Sequence, residues 1–214
     1  MKISRISIAT IIATTLSVLS GCAQSNTDFK TFVNFFPQRD YPLILSYDDN
    51  AAFGITLPSI PETLFKKYIF QKDYFLIKEN EKICFSGFLA EGKFSTNESY
   101  QLLLVGKDSE TSGCGEESWL TTYSTQGEII DVLFVFGRST NYKNTTRIPF
   151  TVESMITADS ISIRREETIR DLIKVNDKEY KSTYKAYNRV YHISTEGKFI
   201  LDKEVIKEEE RYLK

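Results

Sequence analysis

From Asp73 to its end the chain is a succession of short runs rich in Val, Ile, Tyr, Phe and Thr, broken by Gly, Asn, Ser and Asp at hairpin intervals. Runs such as "KICFSGFLA", "SYQLLLVG", "SWLTTYS", "EIIDVLFVFG", "RIPFTVESMI" and "KAYNRVYHIS" suit a pleated, half-buried surface, and the breaks between them suit turns. The expected fold class is therefore mainly β, with α+β as the alternative: an antiparallel sheet or sandwich built of hairpins. Within it, "IIDVLFVF" is apolar at nearly every position and reads as a central strand covered on both faces, whereas "SISIRRE" alternates and reads as half exposed.

Three segments depart from this pattern. "SIPETLFKKYIF" predicts one short helix near 60–69, with Ser59 and Glu62 spaced as a capping box, Pro61 in the first turn, and Leu64, Tyr68 and Ile69 facing the core. "EETIRDLIKVNDKEYKSTYK" predicts a charged surface excursion near 166–184, in which Ile169, Leu172 and Ile173 are spaced for a short helix. Phe29, Phe32, Phe35 and Phe36 fall at helical offsets and predict an amphipathic turn packed on the domain, the rival being a segment lying on a lipid surface.

One sequence element occurs twice. "STQGEIID" at 124–131 returns as "STEGKFILD" at 194–202, each copy following an aromatic-containing strand and leading into another that ends near an Asp. Glycine after Ser-Thr-x supplies the left-handed position of a three- to five-residue hairpin loop, and the hydroxyls can accept turn amides. A partial third copy, "AEGKF" at 90–94, drops the Ser-Thr, so the repeat reads as turn chemistry rather than a duplicated reactive loop.

The N-terminus carries a different signal. Lys2 and Arg5 precede an apolar run from Ile6 to Leu19 that has the form of a signal peptide, and Leu19-Ser20-Gly21-Cys22 resembles the lipobox of bacterial lipoproteins. That resemblance implies cleavage before Cys22, lipidation of its sulfur and amine, and a firm hold on the membrane, since a single acyl chain gives only marginal binding. It divides the chain into a signal peptide at 1–21, a lipidated tether at 22–40 and a single globular domain at 41–214. The compartment implied is the cell envelope; Ala23, where Asp is the usual inner-membrane retention signal, leans towards the outer membrane, with its face left open. Export also permits a disulfide between Cys84 and Cys114, although spacing does not show that they meet. The domain as a whole is similar to the uncharacterised envelope lipoproteins of anaerobic Gram-negative bacteria, a likeness that brings no activity with it.

Removal of residues 1–21, which hold two basic and no acidic side chains, takes the net charge of −2 two units lower. With no basic block, a nucleic-acid partner is not expected. His192 is the only histidine, and its strand setting reads as a half-exposed structural residue. Motifs for nucleophilic hydrolysis, zinc proteolysis, phosphate cradling and EF-hand calcium binding are absent, so no cofactor, metal or catalytic residue is assigned. Asp48 with Asp49, Asp131, and Glu116 with Glu117 are the carboxylates open to glycoside hydrolysis, and Asp108, Glu110 and Glu116 those open to Ca²⁺. Solvated surface acids are the ordinary reading of both sets. Trp119, Tyr123 and Tyr142 are the rings placed to form a platform for a glycan or peptide. The expected function is a membrane-anchored, non-catalytic module binding a glycan, peptide or protein; the alternatives are an envelope hydrolase using paired carboxylates and a protective or inhibitory lipoprotein.

Overall fold

The computed structural model describes residues 28–47, 57–69, 88–96, 99–107, 117–143, 146–176 and 179–213. Cys22, Cys84, Cys114, Asp48, Asp49, Asp108, Glu110 and Glu116 lie outside them. The chain is mainly β, as its alternating runs predict. Among the described residues ten strands form one sheet: β1 (Gln38–Arg39), β2 (Leu43–Leu45), β3 (Phe88–Phe94), β4 (Tyr100–Lys107), β5 (Glu117–Ser124), β6 (Ile129–Lys143), β7 (Thr146–Ile156), β8 (Ile161–Asn176), β9 (Glu179–Ile193) and β10 (Phe199–Leu213). From β3 to β10 each strand pairs with the next in antiparallel fashion. β1 adds in parallel beside β3, and β2 pairs with the end of β7.

β6 joins two halves of this sheet. Its first part pairs with β5 and its second with β7, and Gly137 is the hand-over, opposite Glu117 on one side and Val152 on the other. Alternate residues of β4 and β5 therefore face two different cores. One face carries Leu103, Val105 and Tyr123 into a cluster covered by the helix α1 (28–34) and by α2, a single α turn at Glu62–Leu64 continued as a π-helical turn over Phe65–Ile69. The other carries Leu102, Leu104 and Leu120 against Leu45, Val152, Ile156, Ile161 and Ile163, so the second half of the sheet closes over the first. β6 contributes Ile129 and Val132 to the first cluster and Val135 and Phe136 to the second, as expected of a strand covered on both faces.

Phe29, Phe32 and Phe36 are buried, and Phe32 stacks on Tyr68 at 4.9 Å between ring centres. The folded domain thus takes in residues 28–40, which the sequence assigns to the tether. The reason is the helical spacing of those rings, which turns them all onto the sheet. α2 buries Tyr68 and Ile69 as expected, but its cap differs. Pro61 occupies the N-cap without a side-chain cap hydrogen bond, and Ser59 instead bridges to Leu89 of β3.

The helix expected at Ile169–Ile173 is strand. β8 runs through it and pairs with β9 from Ile161 to Asn176, with irregularities between Ile169 and Ile173 and between Lys174 and Asn176. Sixteen residues at about 3.3 Å each make β8 close to 50 Å long. Since β7 reaches along β8 only to Glu167, the distal part of β8, β9 and β10 is, among the described residues, a three-stranded ribbon.

Candidate functional site

Both copies of the repeated element are hairpin turns of the same geometry. Ser124 N–H donates to Glu128 O at 2.8 Å and Gly127 N–H to Ser124 O at 3.0 Å; in the second copy Ser194 N–H donates to Lys198 O and Gly197 N–H to Ser194 O, both at 2.9 Å. Gly127 has φ 89° and Gly197 φ 84°, the left-handed region that a side chain strains. In each, the leading serine hydroxyl accepts an amide four residues on, from Glu128 at 3.2 Å and Lys198 at 3.1 Å. The "AEGKF" segment is different: it lies within β3, where the register slips between Ala90 and Gly92, so here the glycine belongs to a bulge and not to a turn.

The second turn is docked on the first half of the sheet. Thr122 Oγ1 donates to Gly197 O at 2.6 Å, and Asp131 Oδ2 accepts Phe199 N–H at 3.0 Å while its Oδ1 accepts Val132 N–H at 2.8 Å. Asp131 is therefore a structural acceptor holding the base of β9 and β10. His192 is half exposed, as its strand pattern predicts. Its Nδ1 lies 2.7 Å from Oδ1 of Asp202, the residue that the bulge between Leu201 and Lys203 leaves out of the ladder.

Of the three rings expected to form a platform, Tyr123 is withdrawn from the surface. Tyr123 is fully buried beneath α1, 5.6 Å from Phe29 and 5.8 Å from Phe32 between ring centres, and so is a core ring. Burial drives its phenol pKa far above the ordinary value, and its Oη has no hydrogen-bond partner among the described residues. Trp119 is half buried and packs between Phe88 and Phe134, at 6.4 and 5.8 Å. Tyr142 sits in β6 opposite Arg147, near the end of the β6–β7 hairpin, and its ring lies outside the described residues.

What the structure brings together instead is the outward face of the second half of the sheet. Pairing sets Ile44, Met155, Ser162 and Val190 side by side across β2, β7, β8 and β9. Next to them, Glu153, Arg164 and Asn188 form a polar row. Ile44 and Met155 are 46% and 42% exposed, whereas their chain neighbours Leu45, Ser154 and Ile156 are buried, so strand parity aims the first pair at solvent. Together these residues line an open depression of about 360 Å³ with an apolar floor.

The polar row is held in place. Glu153 Oε1 accepts Tyr47 N–H at 3.0 Å. Arg164 pairs with Glu166, and hydrogen bonding to Tyr184 first, then the charge of Glu166, raise the guanidinium pKa further. Tyr184 has a raised pKa from desolvation first and from its bond to Glu166 second. The arrangement offers a fixed cation beside an exposed thioether and two branched aliphatics, which suits contact with a partner carrying both apolar and anionic groups. Among the described residues no group of three or more His, Cys, Asp or Glu side chains is placed to hold a metal ion. No helix of the described residues is long and apolar enough to cross a membrane.

No signal in the sequence singles out Ile44, Met155 or Val190. Each lies in an ordinary apolar or alternating run, and only the pairing of β2 with β7 gathers them. No protein-family model matches the chain, and neither a curated protein nor a solved structure matches it.

Proposed function

We propose that this chain is a lipid-anchored envelope protein whose β domain binds a partner without catalysis, using the outward face of β2, β7, β8 and β9. The observation that carries the reading is the exposure of Ile44 and Met155 in one open depression beside Arg164. Contiguous apolar surface with a polar rim is the anatomy of a contact site. The carboxylates at this face, Glu153 and Glu166, are engaged by a backbone amide and by Arg164, which supports a role in shaping the surface rather than in proton transfer. The lipobox supports the anchor, and the six residues from Cys22 to α1 reach at most about 20 Å, keeping the helical layer near the bilayer.

Two measurements test the proposal. Cys22→Ala should move the protein from the membrane to the soluble fraction; unchanged sedimentation refutes the anchor. For the domain, thermal unfolding is followed with muropeptides, oligosaccharides and charged extended peptides. A ligand at about 100 times its Kd should stabilise by roughly 2.7 kcal/mol. Met155→Asp should abolish that gain without changing the unliganded midpoint by more than a few tenths of a kcal/mol. A hit indifferent to Met155→Asp and Arg164→Ala refutes the assignment of the face.

A further inference from the structure

A second surface adjoins the open face across β9, where Val190 pairs with Lys203 and Asn188 with Val205. Of the six large apolar side chains exposed among the described residues, four lie on β10: Ile200, Leu201, Val205 and Ile206. β10 is the last strand of the sheet and pairs only with β9, so a 15-residue edge is left with no strand beside it among the described residues. Residues 200–210 are all exposed. Edge strands are ordinarily kept short or hidden, because their unpaired N–H and C=O groups template another chain. This one is long, and its single register shift lies near its start, between Leu201 and Lys203.

Charge decides what the edge can accept. Two copies joined edge to edge in antiparallel fashion are related by a two-fold axis perpendicular to the sheet, which sets each residue opposite its mirror position about a central one. Registers centred on residue 204, 207, 208, 209 or 210 place a charged residue against its own copy. The register centred on 205 sets Lys203 against Lys207, and that centred on 206 sets Glu204 against Glu208. Like charges directly opposite destabilise a pair. A second copy is thus disfavoured in every register centred from residue 204 to residue 210.

A strand of the opposite pattern is favoured. Glu204, Ile206, Glu208 and Glu210 share one face, and Lys203, Val205, Lys207 and Glu209 share the other. Glu204 already bridges to Arg189 of β9 at 2.6 Å and Glu208 to Lys185 at 2.8 Å, so these carboxylates are held on the β9 side, and a cation on an added strand would flank each from the open side. We infer that β10 is a strand-addition site for an extended peptide that is predominantly basic, with apolar residues opposite Val205 and Ile206. This inference goes beyond the proposed function and depends neither on the anchor nor on the open face.

The test uses the unaltered protein and a fluorescent peptide, acetyl-Lys-Lys-Lys-Glu-Val-Val-Lys-Glu-amide, which is complementary to residues 210 to 203 read backwards. Binding by anisotropy is expected, with hydrogen-exchange protection gained at 203–210. The peptide with Lys and Glu interchanged should bind at least tenfold more weakly. Two further peptides separate main-chain pairing from plain charge attraction. N-methylation of one alternate set of amides should abolish binding, and that of the other set should leave it within about twofold, because only one edge of an added strand faces β10. No binding at 1 mM peptide, equal binding of the interchanged peptide, equal tolerance of both N-methyl sets, or protection that maps to Ile44 and Met155 instead would each overturn the inference. So would a concentration-dependent dimer protected at 203–210. Loss of the peptide with a retained thermal-shift hit that Met155→Asp removes would leave the proposed function standing by itself.

Discussion

Asp131→Ala tests how the second half of the sheet is fastened to the first. In the native protein both carboxylate oxygens accept backbone amides, Val132 at 2.8 Å and Phe199 at 3.0 Å, while Thr122 Oγ1 holds Gly197 O at 2.6 Å from the neighbouring strand. The amide of Phe199 is tied to a residue 68 positions earlier, so the bond closes a long loop rather than a local turn. A hydrogen bond to a charged group contributes about 1.5–3 kcal/mol, and a partly buried amide left without its acceptor loses comparably. The Val132 bond is local and half solvated, and we assign it less. Asp131→Ala should therefore lower stability by about 2–4 kcal/mol, and Thr122→Val by about 1 kcal/mol. Because the two bonds secure one turn, the double variant should fall short of additivity by at least about 0.5 kcal/mol. Urea unfolding with an unchanged slope measures the totals, and hydrogen exchange at Phe199 measures the local opening. Asp131→Ala within about 0.3 kcal/mol of wild type by the first measure, or full protection of Phe199 by the second, would show that the Asp131 carboxylate does not fasten the turn and refute the reasoning.

The remaining predictions concern the same cores. A Cβ at Gly127 would lie 2.8 Å from Phe29 Cδ2 and 2.9 Å from Tyr68 Cε1, whereas one at Gly197 would meet Ile130 Cδ1 at 3.1 Å. Both alanines incur about 1–2 kcal/mol for positive φ, and Gly127→Ala should cost more because α1 must shift. Equal midpoints for the two variants in denaturant would refute the difference. Tyr123→Phe removes a buried hydroxyl without a partner among the described residues and should leave stability unchanged or raise it by up to about 2 kcal/mol. The same variant reports on alkaline stability. Since burial raises the Tyr123 pKa, the native state keeps its proton after the unfolded chain has released it near pH 10, so stability is full below that pH and declines above it. The decline from about pH 10 to about pH 11.5 should be shallower in Tyr123→Phe than in wild type; superimposable profiles would refute it.

The two Ser-Thr-x-Gly turns are legible in the chain alone, because a turn is decided within five residues by a glycine that tolerates positive φ and a hydroxyl that reaches the amides beside it. β6 is legible for a similar reason, since an unbroken apolar strand must be covered on both sides. The burial of Tyr123 is not: parity tells which residues share a face of β5, but not that α1 lies on that face. Ile169, Leu172 and Ile173 have helical spacing, yet β9 pairs Thr183 with Ile169 and Lys181 with Ile173, and the ladder on either side of the irregularity overrides that local preference. The capping box at Ser59 fails likewise, because Ser59 bridges to β3.

By itself the sequence determined the local periods: strand, turn, strand, a buried aromatic turn at Phe29–Phe36 and the basic, apolar, small, Cys order of its first 22 residues. Only the tertiary structure decided which exposed residues act together. Ile44 and Met155 stand 111 positions apart and become neighbours through three paired residues of β2 and β7, and β10 becomes an edge because, among the described residues, no strand follows it in the pairing order. Such surfaces depend on register between distant strands, and register is set by the packing of whole faces, which no single stretch of chain contains.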